Sequence, residues 1–360
     1  MNNKSITILF PIHGLVPRGG QKVAYEYANR LCRDGYSVHV VYPALPFSGK
    51  QSIMSRIRYG LKFFFYRFFI GYSCRKWFPL FNKVQEHYLY SLDYRYVPKT
   101  DYYIATAVET AMFLKTYKIP NKNKLYLIQD FENWLISSES VKKTYNYGFK
   151  NIVVSNWLAE VVQEAGADCT VIQNGFDFNY FKMDIPFSEK DNFKVAMMYS
   201  TQQRKGCKYG FEAIEIVKNK FPELKVMLFG VHPEPPQLPS YCTYYRTPDR
   251  EHLNRIYNES AIFLAPSIDE GWGLPIGEAM ICGCAVVCTD NKGFREMAEN
   301  QVTALMSPTR DSRSLADNII CLIEDEGLRI KIARQGHENI KKFKWDDSYL
   351  KFKKMLSDNK

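Results

Sequence analysis

The stretch Pro266-Ser-Ile-Asp-Glu-Gly-Trp-Gly-Leu-Pro-Ile-Gly-Glu-Ala-Met280 is the most informative part of this chain for its fold. An apolar run, Ala261–Ala265, leads into it, and Gly271, Gly273 and Gly277 interrupt it. This order predicts a strand, a glycine-rich turn and the start of a helix. Such a turn presents backbone N–H groups at a helix N-terminus, where phosphate oxygens bind.

Two carboxylates, Glu270 and Glu278, lie on either side of this turn with seven residues between them. Carboxylates accept hydrogen bonds from hydroxyl groups such as those of sugars. The simpler interpretation of either glutamate alone is structural: Glu278 is predicted in the first helical turn, where the helix dipole favours a carboxylate. That interpretation explains the whole block less well, because a small-residue turn (Cys282-Gly283-Cys284) and another strand follow. The segment therefore has chemistry suited to a nucleotide sugar.

Short apolar runs alternate with helical or polar segments along the chain, which is typical of a parallel α/β sheet. In the first half, Gln21–Arg33 has apolar residues at helical spacing, and Asp34-Gly35 ends that helix. Strands of the first half are predicted at residues 5–10, 36–42, 102–107, 124–128, 152–155 and 170–173. Those of the second half are predicted at residues 193–199, 224–230, 261–265, 285–289 and 303–306. The sequence thus predicts two Rossmann-like domains with parallel sheets that face an interdomain cleft.

The two series of strands are separated by polar, turn-rich residues from Tyr180 to Asn192, which we interpret as the linker. The predicted domains are residues 1–185 and residues 190–342. A last helix is predicted at Trp345–Leu356, within a C-terminal segment, 343–360, that we expect to pack back on the N-terminal domain.

One segment of the N-terminal domain, residues 50–85, interrupts the alternation. It contains eight Lys or Arg residues and no Asp or Glu. The run Phe63-Phe64-Phe65-Tyr66-Arg67-Phe68-Phe69-Ile70 lies at its centre, and Trp77, Phe78 and Phe81 follow. A basic segment with interleaved aromatic residues suits an anionic bilayer surface. The alternative is a lid that packs on the domain and leaves its basic side chains in solvent.

Composition narrows the class of protein. A chain of 360 residues with 46% apolar residues is long and apolar enough for two folded domains. The net charge of +10 indicates an acidic partner, which can be nucleic acid, an anionic membrane or a phosphorylated ligand. Nine scattered cysteines fit a reduced cytoplasmic protein better than a disulfide framework. The N-terminal apolar run is too short for a signal peptide, and no apolar run reaches the roughly 20 residues of a spanning helix.

The block from Glu270 to Glu278 closely resembles the signature of the retaining family-four glycosyltransferases of the GT-B fold, of the type that builds bacterial surface polysaccharides. The downstream segment, from Thr289 to Glu296, resembles the family's segment of Thr-Asp, Gly and Glu after a strand. The resemblance spans most of the chain and is strongest from about residue 150 to residue 300. It implies transfer of a hexosyl or deoxyhexosyl group from a nucleotide-diphosphate sugar to a hydroxyl, with retention of anomeric configuration.

The resemblance also implies roles for residues of the donor domain, 190–342. Glu270 would bind hydroxyls of the donor sugar, and Glu278 would bind the ribose of the nucleotide. Backbone amides near Gly273 and Leu274 would face the diphosphate. By the same resemblance, residues 1–185 would form the acceptor domain.

Two adjacent cations, Arg204 and Lys205, follow a predicted strand in the run Ser200-Thr-Gln-Gln-Arg-Lys-Gly206. Cations at that place can neutralise a leaving diphosphate, whereas the structural alternative is an exposed basic loop. The run resembles the family's Arg-Lys-Gly motif, which indicates Lys205 as the phosphate lysine and Arg204 as its helper. Many relatives carry a further arginine a few residues upstream, and this chain has none there.

Two places in the N-terminal domain are further candidates. Arg18-Gly19-Gly20 lies between the first strand and the first helix, where glycines let the backbone approach a ligand. It resembles the family's glycine loop, which reaches toward the donor phosphate and the acceptor; a turn that requires positive φ is the alternative. Asp130 ends a predicted strand, and carboxyl ends of such strands face the ligand crevice. Asp130 is a candidate to orient an acceptor hydroxyl or the transferred sugar, and an ordinary loop carboxylate is the alternative.

No metal or other cofactor is expected. Cationic side chains and helix termini would replace a metal at the diphosphate. Cys282, Cys284 and Cys288 flank a glycine turn or lie in a strand with no histidine close by, which does not favour a metal cluster. Since no dedicated nucleophile can be identified, a front-face, dissociative substitution is the preferred mechanism.

Two other classes of function stay open: another GT-B nucleotide-sugar enzyme, such as an epimerase or a phosphorylase, and a non-enzymatic binder of anionic membrane or nucleic acid. The basic residues concentrate in one aromatic insertion, which favours membrane over nucleic acid. The expected partners are therefore a nucleotide-diphosphate sugar, a glycan or lipid-linked acceptor and an anionic membrane surface, without nucleic acid. The expected location is cytoplasmic, peripheral on the inner face of the cytoplasmic membrane.

Overall fold

The computed structural model describes residues 4–45, 53–70 and 73–357. Residues 50–52 and 71–72 of the 50–85 insertion and residues 358–360 of the 343–360 segment lie outside the described residues, as do residues 1–3 and 46–49. The chain divides into two units. The first consists of Met1–Asn174 and Asp346–Lys360, and the second consists of Gly175–Trp345.

Thirteen strands are described in the two units, and all of their pairings are parallel. In the first unit they are β1 (Ser5–Leu9), β2 (Ser37–Pro43), β3 (Gln85–Leu89), β4 (Tyr102–Ala105), β5 (Lys124–Ile128), β6 (Lys150–Val153) and β7 (Thr170–Val171). In the second unit they are β8 (Lys194–Met198), β9 (Lys225–Gly230), β10 (Cys242–Arg246), β11 (Ile262–Ala265), β12 (Ala285–Thr289) and β13 (Leu305–Ser307).

Eight of the described α-helices lie between strands, as a parallel sheet with crossover connections requires, and the last three follow β13. The α-helices are α1 (Gly19–Arg33), α2 (Ile53–Phe65), α3 (Val108–Lys115), α4 (Ser138–Tyr145), α5 (Asn156–Glu164), α6 (Cys207–Lys220), α7 (Arg250–Glu259), α8 (Leu274–Ile281), α9 (Ser312–Glu324), α10 (Glu326–Ile340) and α11 (Trp345–Ser357). A π-helix, Tyr66–Ile70, continues α2.

The strand order is β3-β2-β1-β4-β5-β6-β7 in the first sheet and β10-β9-β8-β11-β12-β13 in the second. Each sheet therefore runs outward in both directions from its first strand, and the order reverses between β1 and β4 and between β8 and β11. Ligands of open α/β sheets bind outside the carboxyl ends of the strands at such reversal points. The prediction of two Rossmann-like domains with parallel sheets is confirmed.

The inner strands are apolar because helices cover both of their faces. All five residues of β5 and of β12 are buried, and both were predicted at their observed bounds. The sequence analysis missed β3 and β10, which are the edge strands beside β2 and β9. Their sequences, Gln-Glu-His-Tyr-Leu and Cys-Thr-Tyr-Tyr-Arg, are polar and only partly buried. Edge strands have one open side, so they lack the apolar run that identifies inner strands.

Helix α11 packs on the first unit. The hydroxyl of Tyr102 donates a hydrogen bond to the carbonyl of Leu356, with the oxygens 2.7 Å apart. Lys150 Nζ donates to the carbonyl of Met355 at 2.7 Å. The ring of Phe352 stacks on that of Tyr27 with the centroids 4.3 Å apart. The last helix thus completes the core of the unit that contains the first strand.

The basic aromatic insertion is divided in two by the structure. Its first part is α2 with the π-helix, whose aromatic side chains are largely exposed. Its second part packs on the first unit: Phe78 is buried, and Trp77 Nε1 donates to the carbonyl of Gly14 at 2.6 Å. For Trp77 and Phe78 the alternative of a segment that packs on the domain holds, because both rings lie against Tyr25.

Candidate active site

Three loops meet at the carboxyl end of the second sheet, after β8, β11 and β12. At Gly206, where φ is 62°, a Cβ would lie 1.9 Å from the carbonyl oxygen of Pro266. At Gly293, a Cβ would lie 2.2 Å from the carbonyl oxygen of Glu270. No side chain fits at either position, so the two glycines allow the outer loops to press against the loop that carries Glu270.

Lys205 and Glu270 form an ion pair inside this group of loops. Lys205 Nζ lies 2.6 Å from Glu270 Oε1 and 2.7 Å from Oε2. The hydroxyl of Ser267 donates a further hydrogen bond to Glu270 Oε1 at 2.8 Å. The Lys205 side chain is 15% exposed and the Glu270 side chain 9% exposed, so the charges meet at the edge of the protein interior.

The carbonyl oxygen of Ser267 is fixed from the neighbouring strand end. Asn291 Nδ2 donates to it at 3.1 Å, and the hydroxyl of Thr289 donates to the same oxygen. The segment from Thr289 to Asn291 therefore supports the loop that positions the Glu270 carboxylate. The segment from Thr289 to Asn291 thus has a structural role in the fold.

The electrostatics favour the charged form of Glu270. Burial raises the pKa of this carboxyl, but the charges of Lys205 and Arg204 and the hydrogen bonds from Lys205 and Ser267 outweigh that effect. The pKa of Glu270 therefore lies below its ordinary value. A carboxylate held ionised beside an ammonium can accept hydroxyl hydrogen bonds while the ammonium neutralises a phosphate.

Arg204 joins the two loops through its main chain. Its carbonyl oxygen accepts hydrogen bonds from the backbone N–H groups of Ile268, at 2.7 Å, and Asp269, at 3.4 Å. Its guanidinium Nη1 donates to the carbonyl of Asp269 at 3.4 Å. The structure therefore places Arg204 beside Lys205 at the loop surface, where its guanidinium already has a main-chain partner.

The glycine-rich turn before α8 has the geometry predicted from the sequence. Gly273 precedes the helix with a φ of 95°, and a Cβ there would lie 2.6 Å from the ring of Phe294. The helix begins at Leu274, with Pro275 as its second residue. The first amides of a helix have no acceptor within the helix, so those near Gly273 and Leu274 are available to an anion.

Glu278 lies beyond the first turn of α8. Since the helix begins at Leu274, no acidic residue occupies that turn, and the interpretation of Glu278 as a dipole-favoured first-turn glutamate was wrong. The side chain is buried, and the hydroxyl of Tyr257 donates to Glu278 Oε2 at 3.2 Å. A buried carboxylate that is oriented by a fully buried tyrosine fits a binding role better than a capping role.

Two residues that contact Glu278 or the loop after β8 were missed by sequence reasoning. One is Tyr257, which lies on α7, remote in sequence from Glu278. The other is His232 in the loop after β9: its Nδ1 lies 3.1 Å from the hydroxyl of Thr201, and its Nε2 lies 3.4 Å from that of Ser200. The sequence held no signal for either, since a lone tyrosine and a lone histidine match no motif.

The candidates of the first unit lie at the carboxyl end of its sheet. Gly19 and Gly20 form the first turn of α1, and neither is among the described residues with positive φ. The alternative of a turn that requires positive φ was therefore wrong. A Cβ at Gly20 would lie 3.3 Å from Nε2 of Gln129, so the start of α1 borders the end of β5.

Asp130 follows β5 at this same end of the sheet. Its Oδ1 accepts a hydrogen bond from the backbone N–H of Phe131 at 2.9 Å, and the residue is partly buried. Glu132 instead accepts from the backbone N–H of Val108, the first residue of α3. The structure thus groups Asp130 with Gly19 and Gly20 on the first unit, and the other predicted residues on the second.

Within residues 4–45, 53–70 and 73–357, no group of three His, Cys, Asp or Glu side chains is arranged to hold a metal ion. Cys284 donates to the carbonyls of Tyr257, at 3.0 Å, and Ser260, at 3.3 Å. Cys282 donates to Asn254 Oδ1 at 3.3 Å. These thiols have structural hydrogen bonds.

Residues 193–325 match the sequence model of the family described as Glycosyl transferases group 1. The N,N'-diacetylbacillosaminyl-diphospho-undecaprenol alpha-1,3-N-acetylgalactosaminyltransferase of Campylobacter jejuni is 24% identical over 59% of this chain and 62% of its own length. The phosphatidyl-myo-inositol mannosyltransferase of Mycobacterium tuberculosis (strain CDC 1551 / Oshkosh) is 23% identical over 54% of this chain and 55% of its own length. The chain thus spans 62% and 55% of these two relatives.

Solved structures match over nearly the whole chain. Sucrose-phosphate synthase from Thermosynechococcus elongatus superposes with a TM-score of 0.72 at 15% identity and covers 99% of this chain and 98% of its own. HepE of Anabaena, in complex with UDP and glucose, has a TM-score of 0.72 at 16% identity and covers 99% of this chain and 100% of its own. At these identities the likeness shows the fold, which is GT-B.

Proposed function

We propose that this chain, a GT-B protein related to the group 1 glycosyltransferases, transfers a sugar from a nucleotide-diphosphate donor to a hydroxyl of a glycan or lipid-linked acceptor, with retention of anomeric configuration. The observation that carries the proposal is the contact of Lys205 Nζ with both carboxylate oxygens of Glu270, at 2.6 and 2.7 Å. This contact supports the proposal because an ammonium, which can neutralise a phosphate, lies beside a carboxylate, which can accept hydrogen bonds from hydroxyls.

The donor would lie across this pair. Its diphosphate would meet Lys205 and the amides near Gly273 and Leu274, and hydroxyls of its sugar would meet Glu270. A phosphate would compete with Glu270 for the ammonium, so donor binding exchanges part of an internal ion pair for contacts to the ligand. Because the lysine and the carboxylate are already oriented by neighbouring loops, little ordering is left for the ligand to bring about.

The nucleoside would lie beside α8. Glu278 would accept hydrogen bonds from the ribose hydroxyls, and Tyr257 would keep its carboxylate in place. The family match of residues 193–325 and the start of α8 at Leu274 both support a donor site on the second unit. Ser200, Thr201 and His232 lie at the same end of this sheet, where the upstream arginine of many relatives is absent.

The reaction would be a front-face substitution. The bond between the anomeric carbon and the donor phosphate oxygen breaks, and its electron pair leaves with the diphosphate. The acceptor hydroxyl attacks the same face of the sugar, and its proton passes to a diphosphate oxygen. Lys205, Arg204 and helix amides would stabilise the departing charge without a metal ion.

The first unit would supply the acceptor side. Gly19 and Gly20, in the first turn of α1, would reach the donor phosphate as the site closes and excludes water. Asp130 would orient the acceptor hydroxyl or the transferred sugar. The lipid-linked substrates in the names of the Campylobacter and Mycobacterium relatives support a lipid-linked acceptor, and hence an enzyme on the inner face of the cytoplasmic membrane.

The test begins with UDP-, GDP- and dTDP-sugars, each added to the purified chain during thermal unfolding. The true donor should raise the unfolding temperature, since a ligand that binds only the native state stabilises it. That donor is then incubated with and without lipid-linked acceptors, and the anomeric configuration of the product is read by NMR. Conversion of the donor sugar without any acceptor would indicate an epimerase, and an inverted product would overturn retention.

A further inference from the structure

Helix α2 and the π-helix after it expose a continuous apolar face on the first unit. Seven large apolar side chains along them are more than half exposed, and they recur at intervals of three or four residues: Met54, Ile57, Leu61, Phe64, Phe65, Phe68 and Phe69. This spacing places them on one side of a helix. Phe64 contacts Phe68 with the ring centroids 4.8 Å apart, and Phe65 stacks on Phe69 at 5.8 Å.

The opposite side of the helix faces the protein. The ring of Phe63 lies 5.4 Å from that of Tyr88, on the edge strand β3, and 6.2 Å from that of Tyr90. Phe63 is partly buried, whereas its neighbours Phe64 and Phe65 are exposed. The helix is therefore seated on the sheet edge by Phe63 with the apolar face directed away from the sheet.

This face is unusual within the chain. The other large apolar side chains with high exposure among the described residues lie at three separate places in the chain: Tyr96, the adjacent Trp134 and Leu135, and Leu350. Scattered apolar residues are normal on a protein surface, whereas a contiguous patch indicates a partner. Seven such residues on two consecutive helices therefore require an apolar environment.

The charges around the face identify that environment. Arg58 and Arg67 are exposed on the same two helices, and Lys76 and Lys83 are exposed in the segment that follows, where Arg75 instead pairs with Glu86 at 3.0 Å. No Asp or Glu occurs from residue 50 to residue 85. Among the described residues, no helix has the length and apolar content needed to cross a bilayer. Apolar and aromatic residues beside exposed cations fit a helix that lies in the interface of an anionic bilayer.

We propose that the surface formed by residues 53–70 is a membrane anchor: the apolar face enters the interface of an anionic bilayer, the helix axis lies parallel to the membrane plane, and Arg58 and Arg67 meet lipid phosphates. The proposal rests on the proposed function only in explaining why the anchor is needed, which is to bring the enzyme to a lipid-linked acceptor. The binding itself needs neither donor nor catalysis.

The anchor is joined to the candidate site of the first unit. After the π-helix, Trp77 donates its indole hydrogen bond to the carbonyl of Gly14, in the loop between β1 and α1. That loop leads into Gly19 and Gly20. A membrane-bound helix would thus hold the acceptor side of the site at the height of the lipid head groups.

The experiment measures flotation of the full chain with phosphatidylcholine vesicles in which about one lipid in three is phosphatidylglycerol. The test variant carries F64S, F65S, F68S and F69S, which alter exposed side chains and leave Phe63 in place. The matched control carries L350S, which alters an exposed apolar residue on α11 of the same unit. A third variant carries R58E and R67E. Circular dichroism verifies that each variant is folded.

The wild type and L350S should float with anionic vesicles, and the fourfold variant should lose at least about 10-fold in partition. R58E/R67E should lose binding to anionic vesicles, and the wild type should bind less to pure phosphatidylcholine. Equal flotation of the wild type and the fourfold variant would overturn the proposal. So would a wild-type dimer, seen by light scattering, that the four substitutions dissociate, since a second copy would then cover the face.

Nucleotide binding separates this proposal from the proposed function. UDP, GDP and dTDP are tested one at a time for a rise in the unfolding temperature of the wild type and of the fourfold variant. An equal rise in both, with flotation lost only in the variant, supports the anchor. If no nucleotide protects either protein while the wild type still floats, the donor site fails and the anchor stands.

Discussion

The two units differ in how their loops and connections are packed. Those of the second unit are held together by the protein's own contacts, whereas a connection of the first unit leaves an apolar surface exposed. In the second unit, loops after β8, β11 and β12 are locked together by Gly206, Gly293 and the Lys205–Glu270 ion pair. In the first unit, a connection after β2 instead presents seven exposed apolar side chains on α2 and the π-helix. We call the three loops of the second unit, with Lys205 and Glu270, the cage. A small, charged ligand requires such prearranged groups around it, whereas an extended apolar partner requires an exposed apolar surface.

The largest effect should come from breaking the cage at its cation. K205A should lower kcat by on the order of 10²-fold or more, because it removes the charge that stabilises the leaving diphosphate. The matched control is K208A, three residues further along, where the lysine side chain is 79% exposed on α6. Initial rates with saturating donor provide the measurement. Near-normal turnover of K205A would remove this lysine from the mechanism.

The next effect tests how closely the loops of the cage are packed. G206A should lower the free energy of unfolding by several kcal/mol, because its φ of 62° disfavours a side chain and its Cβ would lie 1.9 Å from a carbonyl oxygen. G35A is the control: φ there is 91°, and nothing lies within 4 Å of the added Cβ.

Denaturant titrations of the two glycine variants separate backbone strain from the clash. G35A should lose only about 1–2 kcal/mol, the cost of a left-handed residue. If the free energy of unfolding fell no more in G206A than in G35A, the loop after β11 would be able to move aside easily. The loops of the second unit would then be less rigidly packed than the contrast with the first unit assumes.

A smaller effect should follow from Y257F, which removes the hydroxyl that donates to Glu278. Donor affinity should fall by about 0.5–1.5 kcal/mol, the usual net value of one hydrogen bond. The loss should shrink for a donor with 2′-deoxyribose if Glu278 binds that hydroxyl. Y245F on β10 serves as the control, and calorimetric titration measures both. Equal losses of affinity for the ribose donor and the 2′-deoxyribose donor would show that Glu278 does not bind the 2′-hydroxyl.

The smallest effect concerns pH. The pKa of Glu270 in the folded protein lies below its ordinary value of 4.5, so its ionised form adds stability that is complete above about 4.5 and is lost as the pH falls through the lowered pKa. The stability of the wild type should therefore fall more steeply with acid than that of E270Q. The difference in slope is at most that of one proton, about 1.4 kcal/mol per pH unit. Parallel curves would contradict the ion pair.

Periodicity alone predicted much of the architecture. The inner strands β5 and β12 were placed at their observed bounds, because buried parallel strands are continuous apolar runs between breakers. The edge strands β3 and β10 were missed because the residues that face solvent at a sheet edge follow no such rule. Glu278 was predicted in the first turn of α8, but Gly273, in a left-handed conformation, precedes the first helical residue, Leu274, so Glu278 lies beyond that turn.

The site was predicted unevenly for a similar reason. Lys205 and Glu270 were identified through motifs, each in its own segment, but their contact depends on Gly206 allowing two loops to meet. Tyr257 and His232 lie on elements without a motif, so only the folded chain brings Tyr257 to Glu278 and His232 to the loop after β8. In the insertion, the structure divided residues that the sequence had grouped. Its composition indicated one surface segment, but Phe64 is exposed and Phe78 is buried.

The sequence by itself determined where the inner strands lie, that there are two α/β units, and which residue types are available for phosphates and sugars. These properties are local, because they depend on side-chain spacing along a few turns or a single strand. The tertiary structure decided that Lys205 pairs with Glu270, that Tyr257 orients Glu278, and that one face of residues 53–70 is left uncovered. Those outcomes depend on contacts between segments that are far apart in the chain. Close packing of the folded protein, rather than the local preference of each segment, determines which of these contacts form.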